Sequence, residues 1–172
     1  MYRETKDWFG NPSPYRPEMN YEISGDRFKF SYRCRKTPRC DHSLETGQFV
    51  EGLWEQDVAE FFVAAGGTEY QEINISPTGA WWSCLFSDYR QAAGEVRFEP
   101  NIEARVTPNG WEVSFETSLI HLKPWAGKEL GQRRISIASI LYDPDPHYFA
   151  WNHQAGGEPD FHRLDLFKPI GC

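Results

Sequence analysis

Short runs in which apolar and polar side chains alternate recur along this chain, with turn residues between them about every ten positions. Residues 26–32 are the clearest example, because Phe28, Phe30 and Tyr32 alternate there with polar residues. Strict alternation of this kind is typical of a strand with one buried face. Runs of similar length occupy residues 57–63, 70–76, 80–86, 102–106, 111–115, 134–142, 148–151 and 164–167. The pattern therefore predicts a chain built mainly of strands.

Turns between these runs favour antiparallel pairing. The pair Asn109 and Gly110 separates two of the runs, and Asn-Gly is a strong hairpin signal. Only residues 86–93 and 118–123 have the composition of helical turns. We therefore expect an all-β fold, an antiparallel two-sheet β-sandwich of jelly-roll or immunoglobulin-like type with little helix.

The chain of 172 residues has the length of a single domain. Residues 1–20 carry Gly10, Pro12, Pro14 and Pro17 among polar residues, so we expect an irregular N-terminal arm there and one sandwich domain over residues 21–172. Residues 33–51 form a long polar stretch without a strand pattern, and loops of that length are more often functional than idle.

Charge and composition bear on partners and location. The formal charge of −7 argues against nucleic acid and against an anionic membrane surface. No apolar run approaches the ~20 residues of a membrane span, and the start has no apolar signal-peptide segment. We therefore expect a soluble cytoplasmic protein, or a secreted or periplasmic one if the start was trimmed. The spacing of Cys34, Cys40, Cys84 and Cys172 favours four free thiols over a zinc site, although a Cys34–Cys40 bridge is allowed.

No catalytic motif stands out, so we expect a protein that is not an enzyme, and these motifs indicate no particular cofactor. Residues 143–147, DPDPH, combine two carboxylates with an imidazole, but a Pro-stiffened turn is favoured there over a cation site. The aromatic content of 16% instead leaves a stacking site open.

Two segments have the composition of a sugar site. Trp54 lies among acidic residues after the long loop, and the 70–76 run carries Glu72 and Asn74 on the face opposite Ile73 and Ile75. A sugar needs an aromatic plane against its C–H face and polar side chains for its hydroxyls. We expect Glu72 and Asn74 to point outward into a concavity, while packing of Trp54 at a strand start remains an alternative.

These residues carry a resemblance to a known family. Residues 53–62, LWEQDVAEFF, resemble the W-E-x-D-x-x-E-x-F signature of family-nine carbohydrate-binding modules and of the wider DOMON-like sandwiches. Residues 70–77, YQEINISP, are similar as well, as are the closing blocks YFAW at 148–151 and PDFHR at 159–163. The likeness extends from about residue 21 to the end of the chain, and only these blocks are specific.

The resemblance implies a jelly-roll sandwich in which two aromatic side chains clamp a terminal sugar. The clamp positions fall on Trp54 and Phe161, and the family's hydrogen-bonding strand falls on Glu72 and Asn74. The resemblance also allows a structural calcium ion. The chain departs from the family in having Phe161 where the best-known members have Trp, and Glu72 where some have a basic residue.

The leading hypothesis is thus a non-catalytic domain that binds a mono- or oligosaccharide. Trp54 and Phe161 are its platforms, and Glu72, Asn74, Trp151 and His162 surround them. Three alternatives remain.

The first alternative is a haem-binding DOMON-type electron carrier, poorly supported because Met1 and Met19 lie outside the similar blocks. The second is a small sugar-processing enzyme that uses Glu72 or Asp57 with His162, which a perturbed carboxyl beside His162 in a pocket would favour. The third is a protein-interaction sandwich, recognisable by an exposed aromatic patch without a cleft.

Overall fold

The structure is a computed structural model that describes residues 2–3, 6–151 and 157–170. Its strands, in chain order, are β1 (Tyr2–Arg3), β2 (Glu18–Ser24), β3 (Arg27–Cys34), β4 (Val58–Ala64), β5 (Tyr70–Ile75), β6 (Trp81–Asp88), β7 (Gln91–Glu95), β8 (Asn101–Thr107), β9 (Gly110–Ser118), β10 (Arg134–Tyr142), β11 (Pro146–Ala150) and β12 (Lys168–Pro169). The helical segments are single 3₁₀ turns at Leu53–Glu55, Leu119–His121, Lys123–Trp125, Leu130–Gln132 and Leu164–Leu166. None of the described helical segments is long and apolar enough to cross a membrane.

The strands form two antiparallel sheets. Within the described ranges, one sheet has the order β1-β2-β3-β9-β8 and the other the order β11-β10-β4-β5-β6-β7, with β12 also paired to β10. Every pairing of these strands is antiparallel. The expected two-sheet β-sandwich with little helix is confirmed, and its finer assignment as a jelly roll or immunoglobulin-like fold stays a prediction.

The core between the sheets follows from the period-two pattern. Phe28, Phe30 and Tyr32 of β3 are at most 2% exposed and pack against the inner face of the larger sheet, where Phe61 and Ile73 lie. Because successive side chains of a strand point to opposite faces, the polar residues between them face away from this core.

The larger sheet is also buried on its outer face. A second apolar cluster, with Phe62, Tyr70 and Trp82 among its members, covers that face, so every residue of β4 and of β5 is buried. Trp8 belongs to this cluster and is fully buried; its backbone N–H donates to the Tyr148 carbonyl at 2.7 Å. The sheet therefore has room for a site only where this outer layer is interrupted.

A buried ion pair anchors the long loop before β4. The Lys36 Nζ donates to Asp57 Oδ2 at 2.7 Å, and the backbone N–H groups of Arg39 and Tyr142 donate to the same carboxylate at 2.9 and 2.7 Å. Asp57 is fully buried, and these three hydrogen bonds stabilise its charge away from water.

Three local expectations were wrong. β2 begins at Glu18, inside the segment expected to be an irregular arm, and the buried Trp8 makes part of that segment integral to the fold. Residues 86–93 form the β6–β7 hairpin rather than helical turns, because Arg90 adopts the left-handed conformation (φ 53°) that reverses the chain. Residues 164–167 form a 3₁₀ turn at Leu164–Leu166 rather than a strand.

Cysteine was interpreted more successfully. Cys34, Cys40 and Cys84 are free thiols, and no bridge joins Cys34 to Cys40. Cys172 lies outside the described residues.

Candidate functional site

A cavity of about 420 Å³ opens on the outer face of the larger sheet. Strands β4, β5, β6, β10 and β11 contribute to its floor and sides, and residues 159–162 close it from above. Its aromatic lining consists of Trp54, Phe62, Trp82, Phe86, Tyr148 and Phe161.

The aromatic walls differ in how firmly they are held. Trp54 is half-buried and meets Trp82 edge-on, with ring centroids 5.2 Å apart. Phe161 is only 7% exposed and packs edge-on against Trp8 and Tyr148 at 5.9 and 6.1 Å. Trp54 is thus the more exposed of the two rings, and Phe161 is a supported wall.

Two carboxyl groups enter the cavity from neighbouring strands. Glu60 of β4 pairs with Asn74 of β5, and Phe62 pairs with Glu72, so Glu60 and Glu72 are diagonal neighbours on one sheet face. Diagonal pairs lie about 7 Å apart between Cβ atoms. Both side chains are buried, with residue exposures of 2% and 6%.

Burial changes the protonation of both carboxyls. Removal from water, together with the proximity of Glu72, raises the pKa of Glu60 well above its ordinary range. Burial raises the pKa of Glu72 to about 7, against the lowering effects of a hydrogen bond from Asn74 and the charge of Arg90. At neutral pH the pair therefore retains protons that exposed carboxyls would have lost.

His162 faces the same cavity as a neutral imidazole. Burial lowers its pKa to about 4, and the charge of Arg90 acts in the same direction. Tyr70, whose pKa burial raises to about 12, keeps its phenolic proton, and its oxygen lies 2.7 Å from His162 Nδ1. The Tyr70 oxygen already accepts the backbone N–H of Arg90, so we assign its proton to Nδ1 and the imidazole N–H to Nε2. That Nε2 lies 3.8 Å from Glu72 Oε2, beyond direct hydrogen-bond distance.

The turn between β6 and β7 is tied to the segment that closes the cavity. Asp160 accepts hydrogen bonds from the Tyr89 hydroxyl at 2.7 Å, from the Arg90 guanidinium at 3.0 Å and from the His162 backbone N–H at 3.1 Å. This network connects two segments that are about 70 residues apart and holds His162 and Arg90 at the cavity wall.

The residues expected at a site do not all meet here. Trp54, Phe161, Glu72 and His162 line one cavity. Asn74 is fully buried behind Glu72 and donates to its Oε1 at 3.0 Å, so it positions that carboxyl rather than lining the cavity.

Trp151 was placed wrongly. It packs against the core between the sheets, where its ring meets Tyr21 edge-on at 5.8 Å, and it does not belong to the cavity lining. Trp151 lies two positions after Phe149, a residue of the core between the sheets, so the alternation of β11 places its side chain on the inner face.

The sequence interpretation missed Glu60, Arg90 and Trp82 as cavity residues. Glu60 had a signal, because it is the one charged residue in the apolar run of β4 and shares a face with Phe62. No sequence signal marked Arg90 as a cavity residue, because its position at the cavity depends on the β6–β7 hairpin turn. Asp57, named as a candidate acid, is occupied by the Lys36 ion pair.

Metal and haem ligands were also expected alternatives. Within the described ranges, no group of three or more His, Cys, Asp or Glu side chains is arranged to hold a metal ion. Met19, a candidate haem ligand, is fully buried between the sheets, and Met1 lies outside the described residues.

A second depression, of about 390 Å³, lies on the smaller sheet. Four of its five charged side chains are paired across strands, Arg33 with Glu18 and Arg105 with Glu112, and the fifth is Glu103. Because most of these charges are paired with one another, and because the cavity on the larger sheet contains two buried carboxyls, that cavity is the better candidate site.

The described strands and the cavity belong to a two-sheet antiparallel β-sandwich. A solved structure with the same fold is that of a candidate carbohydrate-binding protein from Bacteroides uniformis ATCC 8492. The two chains superpose with a TM-score of 0.68 at 16% identity, over 90% of this chain and 78% of the other. No family model matches this chain, and no curated protein sequence does. At this identity the likeness shows a shared fold.

Proposed function

We propose that this protein is a non-catalytic carbohydrate-binding domain whose ligand occupies the cavity on the outer face of the larger sheet. The observation that carries the proposal is the combination, in one cavity, of the half-buried indole of Trp54 with the buried carboxyls of Glu60 and Glu72 and the partly buried imidazole of His162. This is the arrangement that a sugar ring needs, with an apolar plane for its C–H face and hydrogen-bonding groups for its hydroxyls.

The charge state of the cavity supports a polyol ligand. A protonated carboxyl both donates and accepts hydrogen bonds, and so does a neutral imidazole. Glu60, Glu72 and His162 therefore offer both kinds of partner to hydroxyl groups at neutral pH.

The size of the cavity supports the proposal as well. Its volume of about 420 Å³ lies within the ~300–1,000 Å³ range of small-molecule sites. The fold shared with the Bacteroides protein, itself described as carbohydrate-binding, points in the same direction.

Within this proposal, Trp54 stacks on one face of the sugar and Phe161 forms the opposing wall. Two aromatic faces against a sugar contribute roughly 2–4 kcal/mol before ordering costs, which corresponds to micromolar to millimolar affinity.

The test is a glycan array followed by calorimetry with the glycans that bind. Trp54→Ala should weaken binding at least tenfold and Trp54→Phe should weaken it less, because the smaller ring keeps a stacking face. Phe9→Ala, which removes a 57% exposed ring that is not part of the cavity lining, is the control and should bind as the parent does. Absence of any glycan binding at millimolar concentration, or unchanged binding by Trp54→Ala, would overturn the proposal.

A small sugar-processing enzyme is the second candidate. The observation that favours it is the raised pKa of Glu72 beside His162 in a cavity, a combination typical of acid–base sites. Conversion of a glycan found on the array, followed by chromatography of the products, would favour the enzyme over the binding domain.

A further inference from the structure

The polar lining of the cavity contains two buried carboxyl groups that have few hydrogen-bond partners. Glu60 is 2% exposed and receives no hydrogen bond from any described residue, and Glu72 receives one, from Asn74. Two nearby side chains donate elsewhere: Arg90 donates through Nη2 to Asp160 and through Nε to Tyr89, and the Trp82 indole N–H donates to Glu95 at 3.1 Å. His162 Nε2 is 3.8 Å from Glu72 Oε2, too far for a direct hydrogen bond.

The two carboxyls also lack a cation of their own. Arg90 is the cation in the lining, and its charge is neutralised by Asp160 at 3.0 Å. The other titratable groups near the two carboxyls are His162, which is neutral, the phenols of Tyr70, Tyr142 and Tyr148, and the thiol of Cys84. A retained proton therefore relieves the repulsion between Glu60 and Glu72.

Building on the proposed sugar-binding function, we propose that the ligand carries a protonated primary amine, as an amino sugar with a free 2-amino group does, and that this amine binds between Glu60 and Glu72. An ammonium group has three N–H donors and one positive charge, so it can donate hydrogen bonds to both carboxyls and provide the cation that they lack. Hydrogen bonds between ammonium and carboxylate are about 2.7–2.9 Å long, and a diagonal pair whose Cβ atoms are about 7 Å apart leaves room for one ammonium in contact with both.

A neutral sugar also donates hydrogen bonds to these carboxyls, but it brings no charge. An N-acetylated sugar brings one amide N–H and a bulky methyl group instead. The proposal therefore ranks the 2-amino sugar above its 2-hydroxyl and 2-acetamido counterparts. It also requires proton release on binding, because the ammonium takes over the role of the retained proton.

The experiment is calorimetry of the full chain at pH 7 with three matched sugar sets. Each set, of gluco, galacto and manno configuration, contains the 2-hydroxyl, 2-amino and 2-acetamido sugar. In at least one set the 2-amino sugar should bind at least tenfold more tightly than both of its partners. Its binding enthalpy should also change with the ionisation enthalpy of the buffer.

Glu60→Gln keeps the size of the side chain and removes its charge, so it should reduce the tenfold preference to less than threefold. Glu72→Gln is the second variant and should act in the same direction. Glu99→Gln, an exposed position outside the cavity, should keep the full preference.

Equal or tighter binding of the 2-hydroxyl or 2-acetamido sugar in every set overturns the amine inference and leaves the sugar-binding proposal standing. Failure of all nine sugars, together with a negative glycan array, overturns both. A preference for the amine that survives in Glu60→Gln and in Glu72→Gln also refutes the inference, because the carboxyl pair would then not be its source.

Discussion

Replacing Glu72 by Gln should stabilise the protein, and the gain should grow with pH. Burial raises the pKa of this carboxyl from its ordinary value of 4.5 to about 7. One pKa unit corresponds to about 1.4 kcal/mol, so ionisation of Glu72 in the folded protein at pH 8 lowers the free energy of unfolding by about 3 kcal/mol. An amide of the same shape avoids this loss and can still accept the hydrogen bond from Asn74.

The sign follows from the proton count of each state. Between pH 4.5 and 7 the unfolded chain has lost the Glu72 proton while the folded protein retains it. The unfolded state then binds fewer protons, so rising pH favours unfolding across this window and has no further effect above it. Below pH 4.5 both states are protonated, and parent and variant should have nearly equal stability.

His162 acts in the opposite direction, which is why the difference between the two proteins is the quantity to measure. Burial lowers its pKa from 6.5 to about 4. Between those values the unfolded state binds more protons, so this residue makes the protein more stable as pH rises. The two trends oppose each other in the parent, whereas subtraction of the parent from Glu72→Gln removes the His162 trend and leaves that of the carboxyl pair, because Glu72 also raises the pKa of Glu60.

Urea unfolding at pH 4, 6 and 8 is the appropriate assay, with the slope against urea checked for constancy. The exposed variant Glu99→Gln should show no pH-dependent difference from the parent. If Glu72→Gln is less stable than the parent at pH 8, or if its advantage is the same at pH 4 and pH 8, the burial argument is refuted.

Two further predictions concern the framework around the site. Lys36→Met should lower the free energy of unfolding by about 3–5 kcal/mol, because it leaves the fully buried Asp57 carboxylate without its ammonium partner; a urea melt no different from that of the exposed variant Lys29→Met would contradict the structural role given to this ion pair. Gly110→Ala should destabilise by roughly 1–3 kcal/mol, because the added methyl group would overlap the backbone carbonyl oxygen of Cys34 across the β3–β9 pair; an unchanged melting temperature would show that this close approach is not required.

Local sequence signals anticipated the strands well. The run at residues 134–142 coincides with β10, and the Asn109-Gly110 pair lies at the turn that joins β8 to β9. The alternation in β3 also predicted which side chains enter the core. These features depend on neighbours within a few residues, where period-two geometry and turn propensities act directly.

Local sequence signals did not predict which distant parts of the chain contact one another. Trp54 and Trp151 are both tryptophans near a strand end, yet one lines the cavity and the other packs between the sheets. His162 reaches Tyr70 across 92 residues, and the Trp8 indole N–H donates to the Gly157 carbonyl across 149 residues. Such pairings depend on how the sheets are ordered, which no local pattern encodes.

The sequence by itself determined that the chain would form short antiparallel strands with one set of side chains facing a common core. The tertiary structure decided that Glu60 and Glu72, whose strand pattern does not set them apart from other acidic residues, are both buried beneath an aromatic layer. The physical reason is that strand formation depends on backbone geometry and alternation along the chain, whereas the protonation of a carboxyl depends on the solvent and charges that surround it in space.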